Sequence, residues 1–175
     1  VSECIVDQQQ DWSTTWALFY GASLFKNDVC LTMGLDQIPL SHHVFDMLEK
    51  SKKVDDDKYV VLMSSAYREY GMNHYPSGWH IAKGRKYREI LKIDQNWETE
   101  VKKVFSYKNY FKDLPTNFWA LDEYYSSYLI DKHIFGTETK DVVFCNTFFE
   151  KYWRPNRLCR KGNLRYNKQR LLEGK

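Results

Sequence analysis

A chain of 175 residues with 43% hydrophobic and 17% aromatic content is long enough for one domain with a sizeable core and too apolar for disorder. The net charge of +3 is too small to point to nucleic acid. No apolar run approaches the roughly 18 residues that a membrane span needs.

The opening residues, VSECIVDQQQ, are polar and do not read as a signal peptide, although a secreted chain after removal of its leader would look the same. Cys4, Cys30, Cys145 and Cys159 show no CxxC spacing, which argues against structural zinc. Their even number is compatible with two disulfides in an oxidising compartment, with all three pairings open.

In chain order, Ser13-Thr14-Thr15 offers hydroxyl caps to a helix in which Trp16, Phe19, Tyr20, Ser23 and Leu24 share one face. Ser41 caps a second, short helix, HHVFDMLEK, with Val44, Phe45 and Leu48 inward. Asp55-Asp56-Asp57 places acid at the start of a third, KYVVLMSSAYREY, which Gly71 ends. After Gly78, YREILKI (87–93) alternates like a half-buried strand, and NWETEVKKVFSY is a helix with Val101, Val104 and Phe105 on one side. FWALD (118–122) and DVVFC (141–145) read as short apolar strands, and RLCRKGNLRYN as a basic one. Helices first and mainly strands later predict an α+β fold, with a helical lobe at about 11–85 and a sheet lobe from about 1–10 and 86–175.

From Glu150 to Lys175 nine Lys/Arg face two Glu, so this end carries about +7 and the rest about −4. It is read as a solvated tail or as a docking surface for an acidic partner.

The segment DQQQDWSTTWAL (7–18) resembles the active-site segment of the papain-like cysteine peptidases. There a Gln stands six residues before a Cys-Trp-Ala at the head of a long buried helix. On that resemblance Gln9 falls on the oxyanion glutamine and Thr15 on the nucleophile. His133 falls on the catalytic histidine, and Asn146, in DVVFCNTFF, on the asparagine that orients it. Leu40-Ser41, YREYGM with HYP, and FWALD with EYYSSYL resemble intervening segments in the same order. The pattern is most similar to the serine-repeat antigens of malaria parasites, some of which also carry a hydroxyl residue at the nucleophile. The resemblance implies a shortened papain-like two-lobe fold, no cofactor or metal, and a secreted, lumenal or vacuolar setting. Given this resemblance, Cys4 is expected to pair with Cys30, stapling the active-site loop, with Cys145–Cys159 as a further possibility.

The departures bear on chemistry. Trp12 replaces the cysteine that staples the loop, SKKVDDDK replaces the glycine-rich cleft passage, Phe148 replaces a shielding Trp, and Lys132 precedes the histidine. The family mechanism needs a thiolate formed before substrate arrives. A Thr15 hydroxyl is far less acidic, its β-methyl restricts χ1, and Asn146 cannot supply the carboxylate that serine peptidases place behind their histidine. The expected function is therefore a catalytically inactive peptidase homologue that binds a protein or peptide. The alternative is a weak hydrolase using Thr15 with His133 and Asn146.

Each position also has an ordinary reading. Thr15 is a helix cap, Gln9 one of three surface glutamines, His133 a loop histidine and Asn146 a turn residue. His42, His43, His74 and His80 read as surface groups, since no ligand spacing links them, and Cys145 as inert packing. A chance match on an unrelated fold is the third reading.

Overall fold

The computed structural model describes residues 10–34, 57–62, 64–65, 67, 74–107, 121–137 and 140–145, with the backbone alone for 10–15. Among these residues four helices and one four-stranded sheet make a mixed α+β arrangement. The sequence-predicted helix after Ser41, the Gly71 cap and the basic C-terminal strand lie outside them.

Helix α1 (Gln10–Leu24) begins a turn earlier than the hydroxyl run predicted, so Thr15 is an interior residue and not the cap. Its inward face is Trp16, Phe19, Ala22 and Ser23, while Leu24 is exposed. Strand β1 (Val29–Thr32) follows a tight turn closed by Phe25 N–H to Ala22 O and Asp28 N–H to Phe25 O.

Strand β2 (Tyr59–Val61) stands where a helix was expected. A short apolar run cannot be assigned from periodicity, and the β-branched valines suit the strand that its neighbours impose. Tyr59 and Val61 join the core under the helices, whereas Val60 and Leu62 join Trp79 in a second apolar cluster, the alternation of a strand buried on both faces. Strand β3 (His80–Lys83) pairs antiparallel with both β1 and β2, and β4 (Val142–Phe144) pairs parallel with β2, giving the order β1-β3-β2-β4. The strand expected in DVVFC is thus present. The one sheet draws β1 to β3 from residues 11–85 and β4 from beyond 86, so these stretches are not separate helical and sheet halves.

Helix α2 (Gly84–Leu91) replaces the strand expected in YREILKI. Gly84, Tyr87, Ile90 and Leu91 are all buried, a spacing of three and four that is helical and was masked by the apparent alternation. The helix ends at Lys92, whose left-handed φ of 52° lets its N–H return to Arg88 O. Helix α3 (Trp97–Ser106) is capped as its sequence dictates. The Asn96 side chain accepts from Thr99 N–H at 3.0 Å, and Glu98 and Glu100 sit in the first turn. Val104 is buried, with Val101 and Phe105 packed against the core beside it. Helix α4 (Leu121–Gly136) takes Leu121 and Asp122 from the expected FWALD strand. Thr137 closes its C-terminus, its N–H and hydroxyl both donating to His133 O.

The helices meet around Trp16, which contacts the Phe19 and Tyr125 rings at 5.3 and 5.1 Å. Its indole N–H donates to the wholly buried Glu100 Oε1 at 3.1 Å, and Glu100 Oε2 accepts from Asp94 N–H and from Lys103. One carboxylate therefore ties α1 to α3. Glu100→Gln, which presents an amide where one of these donors needs an acceptor, is expected to cost about 1–3 kcal/mol in urea unfolding. A loss under about 0.5 kcal/mol, the scatter of a surface change, would contradict the role given to this carboxylate.

Candidate functional site

Of the four positions matched to the peptidase site, Gln9 and Asn146 lie outside the described residues. Thr15 is placed through its backbone, well inside α1. Its N–H is not among the unsatisfied donors of the first turn, so it belongs to the helical ladder. The neighbouring Trp16 is fully buried.

His133 is in the last turn of α4 and only 6% exposed. It is a buried helix residue, not one in a loop. Its Nε2 is 3.0 and 3.2 Å from the two Asp141 oxygens, so the ring carries its proton there and donates to the carboxylate. Asp141 is itself fixed at the start of β4. Its carbonyl accepts from Tyr59 N–H at 2.7 Å, and Lys58 donates to the adjacent Lys140 O.

A third group completes the cluster. Lys86 of α2 donates to Asp141 Oδ2 at 3.0 Å and to Glu89 Oε2 at 2.9 Å. Burial alone would lower its ammonium pKa, but the hydrogen bonds and charges of Glu89 and Asp141 outweigh burial and raise it. Lys86 is therefore cationic at neutral pH. Nδ1 of His133 is buried without a hydrogen-bond partner among the described residues. Lys132, expected to place its charge on the histidine, is exposed and lies over the Tyr128 ring at 5.7 Å.

Sequence reasoning singled out His133 and missed Lys86, Glu89 and Asp141. No short motif links them, because three separate elements bring them together. Glu89, His133 and Asp141 also offer ligand atoms within 4.8 Å of one another, a grouping that the absence of ligand spacing had hidden.

Two histidines read as surface groups are buried. His74 stacks between the Tyr67 and Tyr124 rings at 4.6 and 4.2 Å and faces Glu123 at 3.4 Å. Tyr67 OH and Ser77 N–H donate to the same carboxylate. His80, in the sheet, accepts from Tyr59 OH at Nδ1 and donates from Nε2 to Pro76 O, both at 2.7 Å. His80 is satisfied at both ring nitrogens and His74 faces Glu123 through Nε2, partners that single-residue polarity does not reveal.

Cys30 stands as a thiol, with Sγ 3.6 Å from Ala22 O, and Cys4, the partner expected for it, lies outside the described residues. Burial, then the charge of Asp28, raises its pKa, which makes it a poor nucleophile at neutral pH. Cys145 is half-buried. Cys4 and Cys159 lie outside the described residues. No described helix is long and apolar enough to cross a membrane.

The fold and cluster define a mixed α+β domain with a buried Lys–Asp–His ion network. Comparison with family models, curated proteins and solved structures found no match for the chain.

Proposed function

We propose that this chain is a degenerate papain-like domain that has lost peptidase chemistry and acts as a module binding a protein or peptide. The observation that carries the reading is the commitment of His133. A catalytic imidazole must face a nucleophile and the reacting bond. Here Nε2 is engaged by Asp141, which Lys86 neutralises in turn, and among the described residues the buried Nδ1 has no hydrogen-bond partner. Such a histidine ties α4 to β4. The basic end from Glu150 to Lys175 is the segment offered to an acidic surface, and a secreted or lumenal setting follows from the family resemblance alone.

One observation favours the weak hydrolase. Asp141 supplies the buried carboxylate behind His133 that Asn146 cannot. Both readings are tested with one reagent set. Incubated with a pooled peptide library, the protein is expected to leave the peptides intact. Thr15→Cys is expected to label with an electrophilic peptide probe about 10²–10⁴-fold more slowly than a thiolate with a positioned base, the range such a partner contributes. Cleavage by the unaltered chain, lost in Thr15→Ala, would establish the hydrolase instead.

A further inference from the structure

Glu89 on α2, His133 on α4 and Asp141 before β4 converge from three elements, with ligand atoms within 4.8 Å of one another. His133 and Asp141 are buried and held, whereas the Glu89 side chain is 47% exposed and can close on an ion from the solvent side. The 3.0 and 3.2 Å separations between His133 Nε2 and the Asp141 oxygens approach the ligand–ligand edge, about 3.3 Å, of a tetrahedral shell with bonds of about 2.0–2.1 Å. One imidazole and two carboxylates leave a fourth position for water, the arrangement of three-ligand zinc sites.

A second observation points to a cation. The Lys86 ammonium already stands between the carboxylates, 3.0 Å from Asp141 and 2.9 Å from Glu89. Positive charge is stabilised at that point, and the side chain supplying it is one helical turn from the exposed Glu89.

We propose that Glu89, His133 and Asp141 form a site for a divalent transition-metal ion, with Zn²⁺ the best match, and that Lys86 occupies the position when the ion is absent. The imidazole disfavours Mg²⁺ and Ca²⁺, and among the divalent ions suited to a nitrogen–oxygen set Zn²⁺ binds more tightly than Mn²⁺ or Fe²⁺. Ion binding displaces the ammonium and turns Asp141 from the acceptor of the His133 proton into a ligand. The ring proton moves to Nδ1. Because Nδ1 has no acceptor among the described residues, the site is weaker than one whose histidine is supported from behind.

The test is titration of the metal-free full chain with Zn²⁺ against a chromophoric chelator, with Co²⁺ absorption to report the ligand type. One equivalent is expected to bind through nitrogen and oxygen. Lys86→Met should tighten binding at least about tenfold, since a like charge a few ångströms from the ion is removed. Glu89→Gln, on a half-exposed side chain that the fold tolerates, should weaken it by at least the roughly 10–100-fold that loss of even an outer-shell partner produces. His133→Asn should do the same, with circular dichroism confirming that both variants fold. The proposal is overturned by no binding to the unaltered chain, or by Lys86→Met binding no more tightly. A sulfur-to-cobalt charge-transfer band, which would assign the ion to cysteines, or indifference to Glu89→Gln, which would remove Glu89 from the ligands, would equally overturn it.

Discussion

Gly84→Ala is expected to destabilise the domain by about 3 kcal/mol, the upper part of the range for overpacking a close contact. Gly84 begins α2 directly after β3, where that helix meets the end of α1. A methyl group on its Cα would fall 2.6 Å from Ala22 O and collide with the Phe25 carbonyl as well. Both obstacles are backbone, so no rotamer change relieves them. Retreat of α2 is also resisted. Lys83 provides no side-chain cap, and the first donors of the helix are satisfied by the α1–β1 connection instead: Gly84 N–H by Asp28 O at 3.2 Å and Arg85 N–H by Lys26 O at 3.0 Å. Arg88 Nε adds a bond to Ser23 O. Alanine is the better helix former by about 1 kcal/mol, which the clash must exceed. Urea unfolding should therefore show a lower midpoint at unchanged slope. A neutral or stabilising result would mean that α1 and α2 are not packed backbone to backbone.

Acidification from pH 7 to 4 should cost about 3 kcal/mol through His80 alone. Complete burial depresses its pKa to about 4, against an ordinary 6.5, and the Pro76 carbonyl offsets only part of this. The folded state resists the proton that the unfolded chain accepts. Stability from this group is thus complete above pH 6.5, falls as pH drops through the interval, and is lost by about pH 4. Protonation would also turn Nδ1 from an acceptor into a donor, so that the 2.7 Å bond to Tyr59 OH must reverse its direction. The Phe19 and Tyr59 rings, at 5.1 and 5.5 Å, leave the imidazolium no water. His80→Gln keeps an acceptor and a donor without the titration, so it should be less stable at pH 7 yet lose less stability between pH 6.5 and 4. Parallel pH profiles for the two proteins would remove His80 as the source.

Some of this architecture was legible in the residues. The inward face of α1 through Trp16, Phe19 and Ser23, the helix α3 with Val104 inward, the strand of DVVFC and the mixed α+β class all follow from local periodicity, which acts within a few residues. The cap assigned to Thr15 was off by more than a turn, since the helix runs back to Gln10. Tyr59–Val61 and Gly84–Leu91 were exchanged in type, for a reason of a different kind. Each is a short apolar run compatible with either structure alone, and each is decided by what buries it: β3 and β4 on either side of one, the end of α1 against the other.

Polar residues show the same division. The sequence by itself determined that His133 is a candidate, through a resemblance that gives it a role. Only the tertiary structure decided that its partner is Asp141, itself paired with Lys86, and that His74 and His80 are interior. A titratable side chain is stable in a core when a specific donor or acceptor meets it there, and Glu123, Tyr59 and the Pro76 carbonyl meet these two from other parts of the chain. Helical and strand periods are written in neighbouring residues. The satisfaction of a buried polar atom is set by distant ones, and it exists only once the chain has closed on itself.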